Sequence, residues 1–445
     1  MIPLFKVFMD KNAHKEVRKV LESGFIGQGP KVEEFESNLK EYFGVDYIST
    51  VNAATSAEHL ALHQLKKPID EVFDGCGSKN IWPGLQDGDE VLTTPLTCTA
   101  TNWPILANNL KIKWVDVDEK TLNMDLVDLE RKITKKTKVI FVVHWGGYPI
   151  DLDRLDDIVR RTERRFGFKP AIIEDCAHAM GSTYNNKPIG SYGNWSTFSF
   201  QAIKHITTGD GGILITPDRE SYERSKLLRW YGIDRESNKK DFRCEEDIKE
   251  WGFKFHMNDI AAALGIENFK HLGEIVEKHR NNAKYYDTKL NDVEGVTLLE
   301  RKPNHKSSFW IYSMLVDKKP EFMEHMKKHN IMVSQVHERN DIHSCVKEFQ
   351  RNLPTLDRIA PKLIAIPVGW WVTKKELVQI DDSEEWIQWD YCDLEGLPPE
   401  REPGSMTNHG KIPKGQWDNL PIIFTATDGK EYKIEDIHSY RSSGS

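Results

Sequence analysis

Two residues pose the chemical question: Asp175, which closes the apolar run Ala171-Ile-Ile-Glu-Asp175, and Lys204, inside Phe198-Ser-Phe-Gln-Ala-Ile-Lys-His-Ile-Thr-Thr-Gly-Asp-Gly-Gly212. A carboxylate at a strand end followed by a lysine on a later glycine-rich turn is the pair that pyridoxal phosphate (PLP) chemistry requires. The lysine amine forms a Schiff base with the cofactor aldehyde, and the carboxylate keeps the pyridinium nitrogen protonated. The ring then withdraws electrons from the carbanion formed at the amine-bearing carbon. A lone lysine is usually a solvated charge, but the setting of Lys204 between Phe198-Ser199-Phe200 and Thr207-Thr208-Gly209 argues against that. Asp175 could simply cap a helix; the lysine downstream favours the cofactor role.

A phosphate needs backbone N–H groups at a helix start, with hydroxyls nearby. Ala54, Thr55 and Ser56 open a helix after the strand Tyr47–Val51. Plain N-cap chemistry at Thr55-Ser56 is compatible with this, because the phosphate would sit on the same orphan amides. Gly209, Gly211 and Gly212 read as a tight turn passing close to the lysine.

The elements that must position these residues alternate. Residues Lys11–Leu39 read as helix broken at Gly24, Gly27 and Gly29-Pro30, and Ala57, Leu60, Ala61 and Leu65 share one helical face. Residues 67–89 read as a long loop. Glu90–Leu92, Lys113–Val117, Val139–Val143, Ala171–Asp175 and Gly212–Thr216 are strand candidates, with helical stretches among them. This is the pattern of an α/β domain with a mainly parallel sheet, in which ligands sit outside the carboxyl ends of the strands. A long charged helix is expected over Asn268–Leu290. A smaller α/β unit follows, with Trp310–Val316 as strand and Glu321–His329 as helix. The predicted units are 1–265, 266–380 and an extension over 381–445 that ends in a hairpin around Asp428-Gly429.

Composition narrows the functional classes. The chain has 445 residues, an apolar share of 39% and a net charge of −8 with no basic stripe, so nucleic acid is not an expected partner. No apolar run approaches a membrane span. Six scattered cysteines form no CxxC pair or zinc spacing, which favours a reduced, cytoplasmic setting. Thirteen tryptophans suit ring-shaped ligands, although core filling is the ordinary use of that residue.

Taken in order, the motifs resemble the DegT/DnrJ/EryC1/StrS family of PLP-dependent sugar aminotransferases, through to about residue 380. The resemblance is carried by Gly27-Gln-Gly-Pro-Lys-Val-Glu-Glu-Phe35, Asn52-Ala-Ala-Thr-Ser-Ala57, Pro95-Leu-Thr-Cys-Thr-Ala-Thr101 and His144-Trp-Gly-Gly147. It continues through the Asp175 and Lys204 segments, Gly252-Phe-Lys-Phe-His-Met-Asn-Asp-Ile-Ala-Ala-Ala-Leu-Gly265, and Ile366-Pro-Val-Gly-Trp-Trp371. It implies an aspartate-aminotransferase-like fold (PLP transferase fold type I) working as a homodimer with a shared active site. By the same resemblance Lys204 carries the cofactor and shuttles the proton. Asp175 pairs with the pyridinium, Ser199 adds a phosphate-binding hydroxyl, and His178 lies near the cofactor's phenolic oxygen, where a structural histidine is the competing reading. Cys98 stands where the family places an aromatic ring over the cofactor; either its sulfur packs there or Trp103 supplies the wall. Lys254 stands where the family uses an asparagine from the neighbouring subunit on the phosphate.

The implied reaction is ping-pong transamination. An amino acid, glutamate by resemblance, converts PLP to its amine form (PMP), and a 3- or 4-keto-sugar, commonly nucleotide-linked, takes the amine. Arg339 and His337, in His337-Glu-Arg-Asn-Asp-Ile-His343, are candidates for the substrate mouth, with the guanidinium on a diphosphate; a solvated loop with internal salt bridges is the equal alternative. Arg229 is a further candidate. The spacing of His337 and His343 fits no familiar metal site, and no metal is expected. A dehydratase branch of the family carries histidine in place of the lysine; here Lys204 holds that position and His205 follows it. A non-catalytic scaffold on the same fold is the reading from a different class.

Overall fold

The computed structural model describes residues 1–72, 79–235, 247–384, 422–425 and 431–434. Its centre is a seven-stranded sheet made of β1 (Ile48–Val51), β2 (Glu90–Thr93), β3 (Lys111–Trp114), β4 (Thr137–Val143), β5 (Ala171–Asp175), β6 (Trp195–Ser199) and β7 (Gly212–Ile215), in the order β1-β7-β6-β5-β4-β2-β3. All pairings are parallel except those of β7, which is antiparallel to both neighbours. Side chains alternate across β4. Ile140 and Val142 join one apolar cluster with Phe35, Leu39, Leu155 and Ile266, while Val139 and Phe141 join a second with Leu60, Ala61 and Ile105. Both faces are therefore covered, which explains the continuous apolar reading of the strands.

The helices are punctuated by local chemistry. Helix Leu152–Phe166 buries Leu152, Leu155, Ile158 and Val159, starts at Asp151, whose carboxylate accepts from the Arg154 N–H, and stops at Gly167 (φ 79°). Such a cap is worth about 1 kcal/mol. Helix Pro30–Phe43 is capped from afar: Asp259 accepts from the N–H groups of Gly29 (2.8 Å), Lys31 (3.2 Å) and Val32 (3.1 Å).

A second sheet, wholly antiparallel, contains β8 (Val296–Leu298), β9 (Tyr312–Val316) and β10 (Leu363–Ile366) in that order. Helix Lys319–Lys328 follows β9, as predicted within two residues.

Several expectations are corrected. The 67–89 segment contains an antiparallel pair, Ile69–Val72 with Lys79–Trp82; Trp82 is buried, and its indole N–H donates to the Leu65 carbonyl (2.8 Å), docking the pair on the domain. β6 was not anticipated, because its polar start, Trp195-Ser-Thr, masks a buried strand. β3 lies two residues earlier than predicted. The long charged helix spans Leu272–Lys289, starting four residues later than predicted; a separate helix, Asp259–Phe269, precedes it, and between them the His271 imidazole meets Asp10 (2.8 Å). In the extension, Ile422–Thr425 pairs antiparallel with Glu431–Ile434; the turn of the expected hairpin lies outside the described residues.

Candidate active site

Strand register brings the functional residues to one edge. Thr197 pairs with Asp175, Ser199 with Gly212, and Gly212 with Val51. The carboxyl ends of β1, β5 and β6 thus meet the start of β7, beside the first turn of helix Ala54–Gln64. The capping position of that helix, Ala53, has extended backbone and no side-chain cap. The N–H groups of Ala54 and Thr55 have no intrahelical acceptor. Ser56 Oγ donates to Asn52 Oδ1 at 2.7 Å. Gly212 makes the close approach possible: a Cβ there would lie 2.6 Å from the Ala54 nitrogen and 2.6 Å from the Phe198 oxygen.

The lysine loop is pinched at its base. Phe200 N–H donates to the Gly211 carbonyl (2.8 Å), and Thr208 N–H to that of Phe200 (2.9 Å). Asn268 Nδ2 holds the Thr207 carbonyl at 2.8 Å. Gly209 turns the chain at φ 85°, which a side chain would strain. Lys204 rides on this loop, with Nζ 3.6 Å from the centroid of the Trp310 ring. The Trp310 indole N–H donates to the Ile203 carbonyl at 2.9 Å, so ring and lysine are tied together. Burial pushes the Lys204 amine from its ordinary 10.5 down to about 8, against the opposing pull of Asp175.

Asp175 is buried and well supplied with donors: the Thr101 hydroxyl at 2.6 Å and the Ala177 N–H at 2.9 Å. Behind it, His144 Nε2 meets Glu174 Oε2 at 2.9 Å, and Asn194 holds the other Glu174 oxygen at 2.8 Å. His144, Glu174 and Cys176 are the one cluster of metal-ligating groups among the described residues. These hydrogen bonds engage both carboxylate oxygens of Glu174.

His178 stacks on Trp310 (centroids 3.9 Å, 19°) and accepts the Gly146 N–H through Nδ1 (3.3 Å). Burial, with Lys204 next in effect, holds its pKa well below the usual range, so the ring is neutral. His337 lies parallel to it at 5.7 Å, pushed down to about 4 by burial, with Nε2 buried and unpartnered. Cys98 precedes helix Thr99–Ala107, close enough to act on the Lys204 charge, whereas Trp103 packs edge-on against His343. Lys254 is exposed, and its carbonyl accepts from Asn52 Nδ2 at 3.3 Å.

Neither arginine is presented to a substrate phosphate. The Arg339 fork is filled by Asp341 (2.8 and 2.7 Å) and Asp357 (2.5 Å), the internal salt-bridge alternative. Arg229 is buried, with Nη1 held by Glu36 and the Thr50 carbonyl (2.5 and 2.7 Å). Sequence reading missed Trp310 and Thr101. The first was legible only as part of a strand, and the second lay inside a quoted motif without a role.

The arrangement fits PLP on its own terms, with open amides at a helix start for the phosphate, a donor-supported carboxylate for the ring nitrogen and an amine with a lowered pKa for the aldehyde. The family model for DegT/DnrJ/EryC1/StrS aminotransferases matches residues 8–383. The crystal structure of AtS13 from Actinomadura melliaura is 46% identical, with a TM-score of 0.81, covering 87% of this chain and 98% of that one. The sugar aminotransferase CalS13 from Micromonospora echinospora is 42% identical, with a TM-score of 0.80, covering 86% of this chain and 99% of that one. The UDP-4-amino-4-deoxy-L-arabinose–oxoglutarate aminotransferase of Shewanella sediminis is 34% identical over 303 residues, 67% of this chain and 71% of that protein. On these grounds the chain belongs to the DegT/DnrJ/EryC1/StrS aminotransferase family and is a PLP-dependent sugar aminotransferase.

Proposed function

We propose that the enzyme moves an amino group from glutamate to a nucleotide-linked 3- or 4-keto-sugar in two half-reactions. The bound cofactor supplies an aldehyde that takes up the amino group and a ring that withdraws electrons. Lys204 would be the covalent anchor, and its amine, held at about 8 in the cofactor-free chain, would take up and return a proton near neutral pH. Asp175 faces the ring nitrogen, its carboxyl oriented by Thr101 and the Ala177 amide. Ala54, Thr55, Ser56 and Ser199 hold the phosphate, joined by the partner subunit's Lys254 in a cytoplasmic homodimer. Cys98 packs on the ring face, and neutral His178 lies beside the ring. His337, with one nitrogen unsatisfied, faces the sugar. The two sheets support a division into a large unit, 1–265, and a smaller one, 266–380.

The observation that carries the reading is the half-buried Lys204, its amine seated on Trp310 at the edge to which the carboxyl ends of β5 and β6 bring Asp175 and Ser199. Glutamate added to the holoenzyme should shift the cofactor absorbance toward the amine form, and a keto-sugar nucleotide should restore it. Lys204→Ala should abolish both changes. Turnover retained in that variant would remove Lys204 from the mechanism.

A further inference from the structure

Glu58 lies just over one turn into the helix whose first amides face the phosphate, and it is 1% exposed. Its Oε2 is buried without a hydrogen-bond partner. Its helix packs against β5 and β6, and the groups that act on its carboxyl come from four segments: Asp175 from β5, Thr197 from β6, Cys98 from the start of helix Thr99–Ala107, and Lys204 from the pinched loop. Glu58 and Asp175 are thus two buried carboxyl groups within reach of each other's charge. Such groups do not both ionise, and the charge settles where the donors are. Asp175 receives the Thr101 hydroxyl at 2.6 Å and the Ala177 N–H at 2.9 Å. Glu58 is offered only the Thr197 hydroxyl, which is directed to the Glu174 carbonyl at 3.4 Å.

We propose that Glu58 holds a proton at the floor of the cofactor site and acts as a positioning residue, leaving Asp175 as the lone carboxylate and the Lys204 amine available as a base. This rests on the roles given above to Lys204 and Asp175. Burial first, and the neighbouring Asp175 second, raise the Glu58 carboxyl well above the usual carboxylate range, in agreement with the geometry. An ionised Glu58 would pull the Lys204 amine upward, away from neutrality, and would set a second anion against the first. The proton is thus a functional component, in a place where an aliphatic side chain would serve packing equally well.

The test is infrared spectroscopy of the cofactor-free and loaded enzyme. At neutral pH the carbonyl stretch of a protonated carboxyl should be present in both, and it should vanish in Glu58→Gln. Glu58→Met gives the same assignment should the amide variant fail to fold. In Asp175→Asn, where Glu58 is untouched, the pH at which this band fades should fall by about one unit or more, because the like charge has gone. A side chain that only fills space would show no such link. In Glu58→Gln the pH midpoint of the bound cofactor's absorbance should move by less than about 0.3 units, whereas loss of a real anion would lower it by about one unit or more. A wild-type enzyme without the acid band, or a band whose fading is indifferent to Asp175, overturns the proposal. The cofactor-free spectra do not depend on Lys204 carrying PLP, so failure of that role, seen as turnover in Lys204→Ala, is distinguishable from failure of this one.

Discussion

Replacing Lys204 by methionine in the cofactor-free protein should stabilise the fold while destroying its chemistry. The amine is held at about 8 in the folded chain against 10.5 in the open chain. A group that binds its proton less tightly when folded costs stability wherever the unfolded chain would be protonated. At 1.36 kcal/mol per pH unit, the penalty is about 2 to 3 kcal/mol after allowance for partial solvent access. It is fully present below pH 8, shrinks between 8 and 10.5, and is gone above. Methionine keeps the apolar stem against Trp310 and removes the charge, though it forfeits the cation–π contact, worth up to about 2 kcal/mol when desolvated. Denaturant unfolding at pH 7 and at pH 10.5 measures both arms. The variant should gain at pH 7 and lose most of that advantage at pH 10.5. Equal stability of the two proteins at both pH values would mean that the amine is not desolvated, and the argument for a base near neutrality would fail with it.

Gly212→Ala should loosen the phosphate cradle, because the new methyl would sit 2.6 Å from both the Ala54 nitrogen and the Phe198 oxygen. A cost of about 1–3 kcal/mol is expected, with weaker cofactor retention on dialysis; normal retention would place the phosphate elsewhere. Thr101→Val removes the 2.6 Å donor to Asp175 and should slow turnover roughly tenfold or more, with Thr101→Ser restoring it. A valine variant with unchanged kcat would show that Asp175 does not depend on that hydroxyl.

The expectations that held were local ones. The helix breaks at Gly24 and Gly29-Pro30 follow from backbone preferences that need no partner, and the helices there end at Ser23 and restart at Pro30. β4 and β5 were readable because both faces are covered, so each carries a continuous apolar run, Val139–Val143 and Ala171–Ile173. β6 was not, because the polar groups of Ser196 and Thr197 are buried by neighbours distant in sequence. The start of the long helix at Leu272, four residues later than expected, has a related origin: His271, just before it, is held by Asp10, which is distant in sequence.

The sequence alone determined the order of the chemical parts. Lysine, carboxylate, helix start with open amides and glycine turn are each recognisable by type and spacing, since they depend on functional groups that the chain carries wherever it goes. Only tertiary structure decided which charges are available. It turned Arg339 onto Asp341 and Asp357, sealed Arg229 against Glu36, laid Trp310 beneath the Lys204 amine and buried Glu58 within reach of the Asp175 charge. The protonation and freedom of a side chain depend on solvent and on partners brought from far along the chain, and those are products of packing.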